Sequence, residues 1–194
     1  MRAMRILFWG TPDFAVPSLR TLAKDGLEIA GVVTQPDRPA GRGRRVKRSP
    51  VKEEARALGY EVLEPIRPQG QQFIEQLREL RPDLSVVVAY GHILKREILD
   101  LPPLGSVNVH ASLLPQLRGA APVNWAIIRG HEQTGVTVMR MVEAMDAGPI
   151  IHQLSEPISD EDSASELITR LSELGAVALS EALGSIVRGD TDER

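Results

Sequence analysis

Short apolar runs alternate with helix-period segments along nearly the whole chain, and this limits the folds open to it. Residues 4–9 read Met-Arg-Ile-Leu-Phe-Trp, and residues 28–34 form a second run. Residues 84–89, Leu-Ser-Val-Val-Val-Ala, look the most buried of all. Strand-like runs separated by helical patterns predict an α/β domain with a mostly parallel central sheet flanked by helices.

Local signals place the elements. Gly10 ends the first strand, and Thr11-Pro12-Asp13 reads as a helix start, with Thr11 as cap and Pro12 in the first helical position. Phe14, Val16, Leu19, Leu22 and Ala23 keep one face of that helix apolar, and Gly26 stops it. Further helices are expected over 51–58, 71–80 and 121–129, and strands near 60–63, 107–110, 134–141 and 149–157. Residues 35–50 and 142–148 read as loops. Ser163, three residues before Glu166, has the spacing of a capping box. Leu167, Ile168, Leu171, Leu174, Ala178, Leu179, Ala182, Leu183 and Ile186 then recur at helical intervals. Gly175 and Gly184 are the points where that helix would bend or break.

Composition removes several function classes. A chain of 194 residues, 42% hydrophobic, suffices for one domain of ordinary size. With aromatics at only 4%, its core must be built from Leu, Val, Ile and Ala. A formal net charge of -3 argues against a generally basic nucleic-acid binder. There is no cysteine, hence no disulfide or thiolate site, and the four histidines form no His-x-x-x-His pair, so no metal is expected. The apolar run at 4–9 is too short for a signal peptide, and no run is long enough to span a bilayer. A soluble cytoplasmic protein without membrane contact is the expectation.

Three features point to chemistry. In Val107-Asn108-Val109-His110 the polar residues are two apart, so a strand would project Asn108 and His110 from one face and pack the valines on the other. An amide beside an imidazole suits acyl or formyl transfer to an amine: the amide steadies an oxyanion and the imidazole handles a proton. The same pair could equally be satisfied polar groups at a sheet edge. Asp146, in a glycine-bearing loop, could reach back to orient His110, or could make only a local turn bond. The third feature is a basic stretch: Arg38, Arg42, Arg44, Arg45, Lys47 and Arg48 fall within eleven residues, spaced by Gly and Pro, in a chain that is acidic overall. Such a loop suits phosphate contacts, although charge runs are often merely solvated. Gly10-Thr11-Pro12 matches no phosphate-cradling motif. Trp9 and Trp125 read as core, His92 as a residue at a strand end where open α/β sheets place ligands, and His131 and His152 as residues without a site.

Asn108-x-His110 followed by Ser112-Leu113-Leu114-Pro115 and Arg118-Gly119, with Met145-Asp146-Ala147-Gly148-Pro149 further on, resembles the folate-dependent formyltransferases. Gly10-Thr11-Pro12-Asp13-Phe14-Ala15, the stretch from Thr34 to Gly43, and Val88-Ala89-Tyr90-Gly91 are similar to the methionyl-tRNA formyltransferases within that superfamily. The likeness runs from about residue 5 to residue 189.

The resemblance implies a Rossmann-like fold and transfer of a formyl group from 10-formyltetrahydrofolate to the α-amine of methionine on charged initiator tRNA. It implies Asn108, His110 and Asp146 as the catalytic trio, and Ser112, Leu113, Leu114 and Pro115 as a folate-contacting segment. Tyr90, Gly91, Ile93 and Leu94 would wall the pterin pocket, and the six basic residues would touch the tRNA acceptor end. Residues 1–189 are then the catalytic domain and 190–194 a tail or the start of a linker. The family's C-terminal β-barrel domain is expected to lie outside residues 1–194. A monomer is expected. The rival expectations are a formyltransferase acting on a sugar-nucleotide amine and a non-catalytic RNA-binding relative.

Overall fold

The computed structural model describes residues 3–40 and 45–193. In chain order the elements are β1 (Arg5–Gly10), α1 (Val16–Lys24), β2 (Glu28–Val33), β3 (Arg38–Ala40), β4 (Arg45–Lys47), α2 (Pro50–Ala57), β5 (Val62–Leu63) and α3 (Gln71–Glu79). There follow β6 (Leu84–Val88), α4 (Arg96–Leu99), β7 (Ser106–His110), α5 (Pro122–Ile128), β8 (Gln133–Arg140), β9 (Ile150–Pro157) and α6 (Ala164–Arg188). Seven strands form one sheet in the order β5-β2-β1-β6-β7-β8-β9. The first five are parallel, and β8 and β9 join antiparallel at the far edge.

Two apolar layers cover the sheet, and strand periodicity assigns residues to them. Ile6, Phe8, Val86, Val88, Val107 and Val109 meet α1 and α6 through Leu19, Leu22, Leu171 and Leu179. Leu7, Trp9, Val33 and Val87 face the other way, onto Phe73 and Leu77 of α3 and Ile98 and Leu99 of α4. Asn108 is in register with Val87, so β7 presents its polar residues on this second side.

Helix α6 runs unbroken through Gly175 and Gly184. The first glycine has a packing reason: a Cβ there would lie 3.1 Å from Val109 Cγ1, so its absence lets the helix settle onto β7. The capping box forms as its spacing predicts, with Glu166 N donating to Ser163 Oγ and Ser163 N to Glu166 Oε2.

Three local expectations need correction. Thr11 does not cap a helix. A 3-10 turn (Asp13–Ala15) intervenes, α1 starts at Val16 with Pro17 in its first turn, and Thr11 Oγ1 donates instead to Tyr90 O at 3.0 Å. The 35–50 stretch, expected to be a loop, contains the antiparallel ribbon β3–β4. Trp125 is 47% exposed, with the Arg129 guanidinium 5.4 Å above its ring, because α5 is short and buries only Val123 and Ala126. Beyond α6, residues 190–193 have no regular structure, and the Glu193 carboxylate receives Arg140 Nε at 2.8 Å. Among the described residues no helix is long and apolar enough to cross a membrane.

Candidate active site

Where β1, β6 and β7 end, the chain must turn away from the sheet, and the turns leave a crevice. It is a cavity of about 790 Å³, within the range of small-molecule sites. Its walls are the turn after β1 (Pro12, Phe14), the turn after β6 (residues 89–94), the end of β7, residues 119–124, and the 139–148 segment. Asn108, His110 and Asp146 all line it.

The three polar groups have different degrees of freedom. The Asn108 amide makes no hydrogen bond to any described side chain or backbone group, so its donors are open to the cavity. His110 is buried, and its Nε2 lies 3.0 Å from Leu117 O. A carbonyl oxygen can only accept, so Nε2 carries the hydrogen. Nδ1 faces Asp146 Oδ2 at 3.7 Å, too long for a hydrogen bond but close enough for attraction when the ring is charged. Asp146 is fixed from the other side, its Oδ2 accepting from Gly119 N at 2.8 Å. Asp146 sits at φ 49°, a left-handed conformation that Asp tolerates better than most residues. Two residues on, a Cβ at Gly148 would collide with the Arg140 carbonyl, so only glycine lets this loop lie against β8.

The wall after β6 is tied to the rest of the sheet. Tyr90 O accepts from Thr11 Oγ1 and, at 2.8 Å, from Gln35 Nε2. Gly91 has φ 85°, and a Cβ there would strike the same Gln35 amide. The Tyr90 ring packs edge-on to Trp9 and to His92, at centroid separations of 5.2 and 5.6 Å. Burial pushes its phenol up to about 12. Leu94 is buried in this wall, whereas Ile93 is 76% exposed; Val142 and Met145, which also line the cavity, are exposed as well. His92 also lines the cavity.

Ser112, Leu113, Leu114 and Pro115, expected as a folate-contacting segment, follow β7 beside this cavity rather than lining it. Their polar groups are spent within the protein. Ser112 Oγ donates to Gln116 O, Leu114 N donates to Thr137 Oγ1, and Gln153 Nε2 donates to Leu114 O. The segment is a braced turn leading to Leu117 and Gly119, the partners of His110 and Asp146. Thr137, Gln153, Thr11 and Gln35 support the site without any motif to announce them. Each is an ordinary polar residue in or beside a strand, and nothing local marks its distant partner.

Of the basic residues, Arg42 and Arg44 lie outside the described residues. Arg38 is in β3, and Arg45 and Lys47 are in β4. Arg48 is highly exposed, with its guanidinium 3.4 Å from Glu53.

The doubly wound α/β sheet thus gathers an amide, an imidazole and a carboxylate in a crevice at its strand ends, where open α/β sheets place ligands. The sequence profile described as Formyl transferase matches residues 4–183, and the chain belongs to that family. The chain is 51% identical over 183 residues to a methionyl-tRNA formyltransferase of Acetivibrio thermocellus, covering 94% of this chain and 59% of the relative. To the methionyl-tRNA formyltransferase of Bacillus subtilis it is 49% identical over 185 residues, 95% of this chain and 58% of that protein. It thus spans about three fifths of the length of these curated relatives.

Solved structures share the fold. The phosphoribosylglycinamide formyltransferase of Bacillus halodurans superposes with a TM-score of 0.79 at 23% identity, covering 94% of this chain and 95% of that one. The sugar 3N-formyl transferase WlaRD gives 0.73 at 21% identity, covering 100% of this chain and 66% of its own.

Proposed function

We propose that this domain transfers the formyl group of 10-formyltetrahydrofolate to the α-amine of methionine on charged initiator tRNA, in the cytoplasm. The observation that carries the proposal is the convergence of Asn108, His110 and Asp146 on one cavity, in a chain about half identical to proteins named methionyl-tRNA formyltransferase. Residues 1–189 form the unit that holds the donor and does the chemistry.

The cavity fits a flat, partly apolar donor. Its walls combine Phe14, Leu94 and Met139 with an uncommitted amide, and its volume suits a pterin-sized group. Tyr90, Gly91, Ile93 and Leu94 form the donor wall in this reading. The donor supplies an activated formyl carbon, whose oxygen gains negative charge as the amine attacks; the bond from that carbon to the folate nitrogen then breaks, and tetrahydrofolate leaves with the proton that the amine gives up. Asn108 donates its amide hydrogen to that oxygen. His110 contributes the Nε2 hydrogen, exchanging Leu117 O for the substrate oxygen. A donor of this kind is worth about 3 kcal/mol, roughly a hundredfold in rate. Asp146 keeps the imidazole oriented and opposes its charge. Arg38, Arg42, Arg44, Arg45, Lys47 and Arg48 contact phosphates of the acceptor arm.

The test is an assay of the purified chain with 10-formyltetrahydrofolate and either methionyl-initiator tRNA or an amino-sugar nucleotide. Formyl on the methionyl-tRNA supports the proposal. Formyl only on the sugar, or on neither acceptor, refutes it.

A further inference from the structure

The basic ribbon β3–β4 leaves the domain after Asp37 and returns at Ser49, and its two feet meet on one carboxylate. Asp37 Oδ1 accepts from Ser49 N, twelve positions along the chain, at 3.2 Å. The other oxygen, Oδ2, receives the Lys52 ammonium at 2.8 Å. That ammonium also reaches Glu64 Oε1 at 2.7 Å, just after β5. Lys52 is a buried lysine, its side chain only 11% exposed, with its charge enclosed between two carboxylates. A lysine is seldom buried unless it is paired. The proximity of Lys52 holds the Asp37 carboxyl below the usual carboxylate range, and Asp37 in turn raises Lys52.

The clasp is connected to the cavity. Ser49 Oγ donates to Thr11 O at 3.0 Å, so the 2.6 Å contact between Thr34 Oγ1 and Ser49 Oγ must use the threonine hydrogen. The same serine oxygen accepts from Lys52 N and caps α2. Thr11 Oγ1 then donates to Tyr90 O, in the wall of the cavity. Gln35 bridges the remaining gap: its backbone N–H donates to Thr11 Oγ1 and its side chain to Tyr90 O. A chain of hydrogen bonds thus runs from the foot of the ribbon to the cavity wall. The feet of a two-stranded ribbon do not need such a connection for the fold to close.

We propose that Asp37 and Lys52 are positioning residues for the polynucleotide acceptor: their ion pair fixes the feet of the basic ribbon and so sets how strands β3 and β4 join the domain beside the cavity. Neither residue touches the reacting atoms. The inference rests on the tRNA reading given above. It predicts a defect in acceptor engagement with the donor site and the chemical step intact.

The experiment compares Asp37→Ala, Lys52→Met and Lys52→Arg with wild type in the same chain. The KM for methionyl-tRNA should rise about tenfold in the first two, with kcat within about twofold and unchanged affinity for 5-formyltetrahydrofolate. Hydrogen exchange at the Ser49 amide should accelerate in both. Lys52→Arg keeps a cation between the two carboxylates and should restore both readouts. An unchanged KM with unchanged exchange would overturn the proposal. So would a parallel fall in kcat and donor affinity, or failure of the arginine to restore function. If the wild-type chain formylates no tRNA, the functional reading fails instead, and exchange at Ser49 alone then judges the clasp.

Discussion

The His110 imidazole and the Asp146 carboxylate face each other at 3.7 Å across the cavity, and the carboxylate's 2.8 Å hydrogen bond comes from Gly119 N rather than from the ring. The pair is therefore held by backbone geometry on both sides: Leu117 O fixes one ring nitrogen, and Gly119 N fixes the carboxylate. Asp146 is placed to act on His110 by charge. Asp146→Asn keeps an acceptor for Gly119 N and removes only that charge. It should fold normally, by circular dichroism and thermal melting, and lose about a hundredfold or more in kcat.

A second expectation concerns acid stability away from the site. Arg170 forms paired 2.7 Å bonds to both oxygens of Asp162, which holds that carboxyl at about 2 rather than 3.8. Its folded-state value is depressed. The stabilisation is therefore fully present above about pH 4 and is lost as the pH falls through about 2. Asp162→Asn should lower the denaturant midpoint at neutral pH. The gap from wild type should narrow between pH 4 and pH 2, as equilibrium urea titrations at each pH would show.

Tyr90 gives the opposite sign. Its phenol is raised to about 12 by burial, so the stability tied to its neutral form is intact below pH 10 and is lost as the pH rises through 12. No described protein group hydrogen-bonds the hydroxyl. Tyr90→Phe should therefore change neutral-pH stability by no more than about 1 kcal/mol. It should also reduce the alkaline loss, which melting curves across that range would measure.

The basic ribbon should reveal itself through salt. Replacing Arg42, Arg44 and Arg45 with glutamine should raise the KM for methionyl-tRNA about tenfold or more. It should also flatten the dependence of log KM on log salt by about one unit for each phosphate that is no longer neutralised. Donor affinity should not change. Titrations in potassium chloride with labelled tRNA measure both quantities.

What the sequence disclosed depended on how local its cause was. The alternation in 107–110 separates Val107 and Val109 from Asn108 and His110 because side-chain direction in a strand repeats every two residues. The Ser163–Glu166 box is likewise visible because both partners lie within one helical turn. Legibility ended where a partner was distant. Thr11 has the chemistry of a helix cap, yet it bonds Tyr90 O, 79 positions away. Gln153 Nε2 donates to Leu114 O from 39 positions away. Trp125 reads as core because tryptophan usually is, but α5 is too short to bury its outer face. The one-turn α4 carries no periodicity to detect.

The central claim is that Asn108 and His110 supply hydrogen to an oxygen that becomes charged only during transfer. Single-turnover formylation of methionyl-tRNA by Asn108→Ala and His110→Ala, set beside 5-formyltetrahydrofolate affinity, tests it most directly. The rate should fall about a hundredfold or more in each variant, with donor affinity within about twofold of wild type. An undiminished rate, or a loss of rate matched by an equal loss of donor binding, would contradict the account.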